Sequence, residues 1–583
     1  MTVRDALEAR ADDDSPALLT RERSWTWREF VAASAARAAA VADLLDPARP
    51  PHVGLMMDNT AEMLLGLAAA GWGRHVAVGV NTTRRGEALV ADLRRADVQV
   101  LLTDATQRHL LDGVELPDIT VIDTTTGGWI PGSGLERARQ LTDAYPPPRA
   151  GARRLATEVK TDPPIASAEA SHPDAPPPVA SDEAGHGRGA GRRTEPSNSL
   201  DHLPPPDASP TDDSLFMLIF TSGTSGTPKA VRITHSKVTY PGHYLSQRLG
   251  LTRADVHYIA MPLFHSNAVM AGWAPALVNG ATVALREKFS ASHFIDDIRH
   301  FGATYTSYVG KPLAYVLSTP ERSDDADNPL RLAFGNEAGE RDQETFGRRF
   351  GCRVVDGFGS TENAVVVSRI EGTPPGALGW PADGVAVHDP ETGAECPRAA
   401  FDADGHVTNL DACTGELVNT TGRGQFAGYY NDESATTERM RNGMYWSGDL
   451  AYRDADGWIY FAGRTAEWLR VDGENLACAP IERVLLRHPA IAQAAVYAVP
   501  DDRAGDQVAA ALILSVPLGP TEFEEFLDAQ LDLSPKERPR YVRLVDDLPK
   551  TATHKVLKRE LTAQGAADAT WIRDERGTTY ASR

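Results

Sequence analysis

Nine consecutive residues, Thr221-Ser222-Gly223-Thr224-Ser225-Gly226-Thr227-Pro228-Lys229, hold two glycines, five hydroxyl side chains and a lysine. Glycine lets the backbone fold tightly enough for several N–H groups to point at one anion. Hydroxyls add donors that rotate to suit, and Lys229 adds a positive head. The run directly follows the apolar stretch SLFMLIF, which reads as a buried strand. This chemistry suits the β- and γ-phosphates of a nucleotide. It is not a Walker A loop, because no Gly-Lys-Ser/Thr follows four spacer residues.

Other residues add complementary chemistry. In Asp356-Gly357-Phe358-Gly359-Ser360-Thr361-Glu362 the Phe358 ring can stack on a purine and Asp356 can accept from its exocyclic amine. Glu362 offers the carboxylate oxygen that a hard cation prefers. A helix start capped by Ser or Thr ahead of Glu362 is the plainer reading of the same residues. Asp449, in Tyr445-Trp446-Ser447-Gly448-Asp449, can accept from both hydroxyls of a ribose. His265, in Pro262-Leu263-Phe264-His265-Ser266-Asn267, can donate to a carboxylate or acyl phosphate oxygen. Gly335-Asn336-Glu337 follows the apolar LRLAF, a place where loops of α/β sheets meet ligand. Lys550, Lys555, Lys558 and Arg559 gather near the end of the chain, where alone they would read as a solvated basic face.

Taken in order, these motifs resemble those of the adenylate-forming superfamily: acyl-CoA synthetases, luciferase-like enzymes and peptide-synthetase adenylation domains. FGATYTSYVGKPLAYVL and DGFGSTE look most like the fatty-acid-transport-protein-like branch of fatty-acyl-CoA synthetases. The resemblance spans nearly the whole chain outside 146–213. It implies ATP, Mg²⁺ and CoA as cofactors, and an acid converted first to acyl-AMP and then to a thioester. It assigns the α-phosphate to Thr361, the metal to Glu362, adenine and acyl chain to the turn at Asn336 and Glu337, and ribose to Asp449 and Gly463-Arg464. His265 gates the acyl site. Lys555, in Pro549-Lys550-Thr551-Ala552-Thr553-His554-Lys555, is the adenylating lysine, whose charge would steady the departing pyrophosphate. Gly473, in Val471-Asp472-Gly473-Glu474-Asn475-Leu476, lets the pantetheine arm pass.

These residues need elements to hold them. Residues 1–145 read as strand–helix–strand units: WTWREFVAASAARAAAVADLL from Trp25 as a helix, HVGLMMDN and VQVLLTD as strands, TAEMLLGLAAAGWG as a helix between them. Residues 146–213 hold 14 of the 40 prolines and no aromatic residue, too little apolar surface to offset chain entropy, so they read as a disordered insertion. Helices and strands resume over 214–464, and 465–583 forms a smaller unit. The expected fold is α/β, with a large N-terminal domain of mostly parallel sheets and a small mobile α+β C-terminal domain. The formal charge of −21 argues against a nucleic-acid or anionic-membrane partner. No run of about 18 apolar residues marks a transmembrane helix. Cys352, Cys396, Cys413 and Cys478 lie too far apart for a zinc ribbon or redox dithiol, so the chain reads as cytoplasmic. Oligomeric state is not written in it, and a homodimer stays open.

The chain departs from the superfamily pattern at His554 (commonly Gly), Ala466 at the hinge (commonly Asp or Lys), Ala230 and the insertion. They leave open a protein doing only the thioester half from supplied acyl-AMP. Two further alternatives are an adenylating enzyme loading a carrier protein in trans and a nucleotide-binding protein without catalysis. The chain does not spell out its acid; the resemblance implies a hydrophobic one, fatty or polycyclic, with Trp273 and Tyr308 as candidate selectors. Lys555→Ala is expected to depress pyrophosphate exchange strongly and to spare thioester formation from added acyl-AMP. Equal loss of both half-reactions would remove the role given to Lys555.

Overall fold

The computed structural model describes residues 1–125, 209–221, 228–310, 312–402, 407–464, 468–471, 474–501, 505–530, 533–551, 556–574 and 577–583. Ser222 to Thr227, Ala466, Gly473, His554 and Lys555 lie outside them. So does the expected disordered stretch 146–213, apart from its last five residues. Those five belong to the fold. Pro210 packs where any Cβ on Gly73 would lie 3.1 Å from its ring, and the Asp212 carbonyl accepts from the Ser236 N–H at 2.9 Å.

Two sheets made largely of parallel pairs carry the larger region. The first orders Thr120–Asp123, Val98–Thr103, His52–Met56, Val76–Gly79, Leu215–Thr221 and Lys229–Thr234; only the last pair is antiparallel. Its central strands are buried almost throughout, as largely apolar strands of a parallel sheet covered on both faces are. The second runs from Trp380–Pro381 through Val367–Ser368, Arg353–Phe358, Leu332–Asn336, Tyr305–Val309, Val256–Ile259, Thr282–Leu285 and Pro16–Leu19 to Ser24–Thr26. A third sheet is antiparallel throughout: Val385–His388, Gly415–Asn419, Met440–Arg441, Met444–Arg453 and Ile459–Arg464. The sequence reading did not separate it from the parallel part, since short amphipathic strands joined by turns show no crossover signal.

Local chemistry sets the boundaries. The helix expected from Trp25 begins at Trp27, because Thr26 accepts from the Glu29 N–H while Glu29 reaches back to the Thr26 N–H; Ser24–Thr26 becomes a strand instead. The helix His235–Leu249 is capped by the Thr234 hydroxyl and ends at Gly250, whose φ of +65° is the left-handed conformation a C-terminal glycine supplies. Gly242 lets this helix press against the Ala274 carbonyl, where a Cβ would stand 2.8 Å away. A π-helical turn, Ala268–Trp273, then follows the His265 segment directly.

Trp273 is fully buried and stacks on Phe216 at 6.3 Å. Replacing so large a core side chain by alanine costs about 3–5 kcal/mol, so Trp273 is part of the core and not the acid selector the sequence suggested. The smaller unit has its own core, built from Leu469, Ile481, Leu485, Val496, Leu512 and Phe523 among others. Helices Cys478–Leu485 and Pro520–Asp528 contribute to it, as the sequence periodicity predicts. Arg483 Nη1 donates to the Phe461 carbonyl at 2.7 Å and ties this unit to the third sheet.

Candidate functional site

Strands Leu332–Asn336 and Arg353–Phe358 run parallel, with Gly335 opposite Asp356. Their carboxyl ends therefore open side by side, where ligands of open α/β sheets bind. The turn after the first strand passes through Glu337 at φ +67°, a left-handed conformation that costs a non-glycine residue about 1–3 kcal/mol and persists only where neighbours impose it. The neighbours are visible. The Tyr308 hydroxyl and the Ala338 N–H each donate to one oxygen of Asp356, the latter at 3.1 Å. Asn336 Nδ2 donates to the Gly357 carbonyl. A Cβ at Gly335 would overlap the Tyr308 carbonyl and ring, so glycine is what admits Tyr308 to this position. Burial pushes the Asp356 carboxyl up to about 6, against the pull of Tyr308 and Ala338. An adenine amine would thus take a second lone pair on an oxygen already engaged. Tyr308 itself lies behind the wall and does not line the cavity, which corrects its reading as a selector.

One cavity of about 2250 Å³ collects the described candidates: Thr221, Lys229, His265, Asn336, Glu337, every residue from Asp356 to Glu362, and Asp449. That is well beyond the roughly 300–1,000 Å³ of a single small-molecule site, so more than one ligand fits. Thr221 and Lys229 flank residues 222–227 and are paired across the hairpin. Thr551 and Val556, which flank 552–555, also line the cavity. Phe358 is half-buried, with the Phe461 ring 6.0 Å from its own. Thr361 and Ser266 share a hydroxyl–hydroxyl hydrogen bond of 2.9 Å, joining the loop after one strand to the His265 segment. Asp449 is buried in a strand and sits opposite Arg464 in the antiparallel register; of Arg464 only the backbone is described. The nearby Asp456-Gly457 is a hairpin turn held by Asp454, whose Oδ1 accepts the Gly457 N–H at 2.8 Å.

Glu362 is a buried charge of the site. Burial would raise its carboxyl, but the Tyr429 hydroxyl at 2.8 Å, its own N–H, Arg439 and Lys237 outweigh that and hold it below the ordinary carboxylate range. Oε1 is taken by Tyr429, leaving Oε2 for a cation. One carboxylate oxygen fits Mg²⁺, which keeps phosphate and water oxygens for most of its shell. No cluster of three His, Cys, Asp or Glu able to hold a metal occurs among the described residues.

Tyr429, Arg439 and Ser266 were not singled out by the sequence reading. Tyr429 reaches the site because residues 428–430 pair with strand Lys229–Thr234: the Arg232 N–H donates to Gly428 and the Tyr430 N–H to Ala230. Its ring also lies 5.2 Å from the Lys229 ammonium, a cation–π distance. The one available signal was the run Gly422 to Tyr430, with three glycines and two tyrosines.

The AMP-binding enzyme family matches residues 6–430, and the AMP-binding enzyme C-terminal domain matches 480–555. The chain is 46% identical to medium/long-chain-fatty-acid–CoA ligase FadD17 of Mycobacterium marinum, covering 95% of each chain. It is 43% identical to steroid-22-oyl-CoA synthetase of Rhodococcus jostii, over 97% of this chain and 91% of that one. In fold it resembles ATP-bound MatB from Rhodopseudomonas palustris, with a TM-score of 0.72, 21% identity and coverage of 97% and 99%.

The Glu362 environment yields a pH prediction. The charged carboxylate exists above its pKa, and Tyr429 keeps that pKa low. Tyr429→Phe removes a donor, so the pKa rises and the acid limb of the pH–rate profile moves to higher pH. Activity at pH 6 is expected to fall more than activity at pH 8, at saturating Mg²⁺. Parallel profiles for the two proteins would show that Tyr429 does not act through Glu362.

Proposed function

This chain belongs to the AMP-binding enzyme family, and from that premise we propose that it joins a bulky hydrophobic carboxylic acid to the thiol of CoA by way of an acyl-AMP. Relatives at 43–46% identity over nearly the whole chain are CoA ligases and synthetases, which supports this activity. The carrying observation is the convergence of Phe358, Thr361 and Glu362, from the end of one strand and the loop after it, with Asp449 of another sheet on one cavity whose continuing wall is apolar: Leu245, Met270, Ala271, Phe334, Val366 and Val367.

In the first step a carboxylate oxygen of the acid attacks the α-phosphorus of ATP. The new O–P bond forms as the bond to the bridging oxygen breaks, and pyrophosphate leaves. Phosphoryl chemistry of this kind asks little covalent work of the protein, so positioning and charge neutralisation carry the rate. Phe358 holds the adenine face and Asp449, with Arg464, the ribose. Thr361, oriented by Ser266, donates to the α-phosphate. Lys229 and the 222–227 loop hold the outer phosphates, and Lys555 meets the acid and the α-phosphate. Glu362 Oε2 would hold Mg²⁺, which when bound supplies positive charge beside the phosphates.

In the second step the CoA sulfur attacks the acyl carbon. The C–S bond forms, the C–O bond to AMP breaks, and the thiol proton passes to solvent. Between the steps the smaller unit turns about the segment at Arg464–Ala466, replacing Lys555 by the Gly473 turn. The protein's own cysteines take no part: none lines the cavity, and burial pushes the Cys352 thiol up to about 12 and Cys396 to about 11.

A panel of fatty and polycyclic acids with ATP, Mg²⁺ and CoA tests this by mass spectrometry. The expected result is CoA thioester and AMP in equal amounts, with acid-dependent pyrophosphate exchange that stops when Mg²⁺ is withheld. Thioester formed only from supplied acyl-AMP, with no exchange, would overturn the first step. Acyl transfer to a carrier protein but not to CoA would overturn the second.

A further inference from the structure

Arg439 is the last residue of helix Glu433–Arg439, and its side chain lines the cavity beside Ser447, Gly448 and Asp449. None of the motifs read from the sequence includes it, and the two steps above give it no contact with substrate. Its place is fixed from two sides. Nη1 donates at 3.3 Å to the carbonyl of Trp446, three residues before Asp449 on the same strand. Gly448 has a φ of +77°, and a Cβ there would overlap the guanidinium, so glycine between Ser447 and Asp449 is what admits the arginine. On the other side Arg439 donates to the Tyr429 hydroxyl, which itself donates to Glu362 at 2.8 Å. The guanidinium therefore spans from the strand that carries Asp449 to the phenol that holds Glu362.

These bonds use two of the five N–H donors of a guanidinium. Two residues on, Arg441 is paired with Glu416 at 3.0 Å. Among the described residues no carboxylate pairs with Arg439, which reaches Glu362 only through Tyr429. Its side chain is half-buried and faces the cavity. A brace to one carbonyl and one hydroxyl needs donors but no charge. A cation drawn partly out of water with no counter-charge is unfavourable, and an anion arriving in the cavity would relieve it.

The nucleotide reading says which anion. The α-phosphate is joined to the ribose through a single carbon. With the ribose on Asp449 and a cation on Glu362, the α-phosphate falls between them, in the interval that Arg439 spans. Resting on the ligase reading above, we propose that Arg439 is a further catalytic residue that donates, beside Thr361, to a non-bridging oxygen of the α-phosphate. Guanidinium geometry matches phosphate, and a bond between two charged groups is among the stronger ones. The contact serves both half-reactions. It faces the phosphorus while the acid attacks, and it steadies the AMP that leaves while CoA attacks.

The test needs no acid. Binding of AMP and of adenosine to the full-length protein is measured by calorimetry, and the readout is the ratio of the two Kd values. Adenosine lacks only the phosphate, so it reports on the rest of the site. Wild type is expected to bind AMP more tightly than adenosine. Arg439→Met is expected to shrink that ratio by about tenfold or more, the weight of one hydrogen bond to a charged group, and to leave adenosine binding unchanged. Arg439→Gln, which keeps a donor for the Trp446 carbonyl and loses the charge, is expected to shrink it likewise. A ratio retained in either variant, equal weakening of both ligands by both variants, or no preference for AMP in wild type overturns the phosphate contact and leaves the ligase reading intact. A wild type that binds neither AMP nor adenosine overturns both.

Discussion

The pair of hydrogen bonds that Tyr308 and Ala338 make to Asp356 is the joint on which the site turns. It clamps the ends of two parallel strands and holds Glu337 in a conformation its side chain would not choose. The clamp exists because Gly335 has no Cβ to exclude the Tyr308 ring. Everything that follows in sequence from Asp356, including Phe358, Thr361 and Glu362, takes its place from the end of that strand. A carboxyl pushed up to about 6 by burial is the cost of placing the clamp out of water, and a neutral Asp356 would still join the two turns.

A second constraint is charge. Glu362 is buried and yet is held in its ionised form. Three groups from distant parts of the chain secure this: Tyr429 by a hydrogen bond, Arg439 and Lys237 by their positive field. Lys237 is itself fully buried, and desolvation pulls its ammonium down to about 7 while Glu362 opposes that fall. The antiparallel bridge between residues 428–430 and strand Lys229–Thr234 brings Tyr429 against both Glu362 and Lys229. Glu362 and Lys229 are thus coupled through one phenol ring.

Much of this was legible in the sequence because the informative residues are local. A glycine- and hydroxyl-rich loop after an apolar strand, an aromatic before Ser-Thr-Glu, and an aspartate after Trp-Ser-Gly each state their chemistry within a few residues. What escaped was set by distant contacts. Tyr429 and Arg439 matter only because a segment 200 residues from Lys229 pairs with its strand — a register no periodicity reveals. Trp273 and Tyr308 looked like selectors by size and place, but one fills the core and the other serves Asp356. The start of the helix at Trp27 moved because Thr26 could cap it, a preference that hydrophobic spacing alone does not weigh.

The account stands on a single nucleotide being read at once by Phe358, Asp449 and Thr361. A crystal structure with a non-hydrolysable acyl-AMP analogue tests this most directly. It should place the adenine against Phe358, the ribose hydroxyls on Asp449, the phosphate at Thr361, and the acyl group along the wall of Met270 and Val367. An analogue bound with its phosphate away from Thr361 and its ribose away from Asp449 would contradict it.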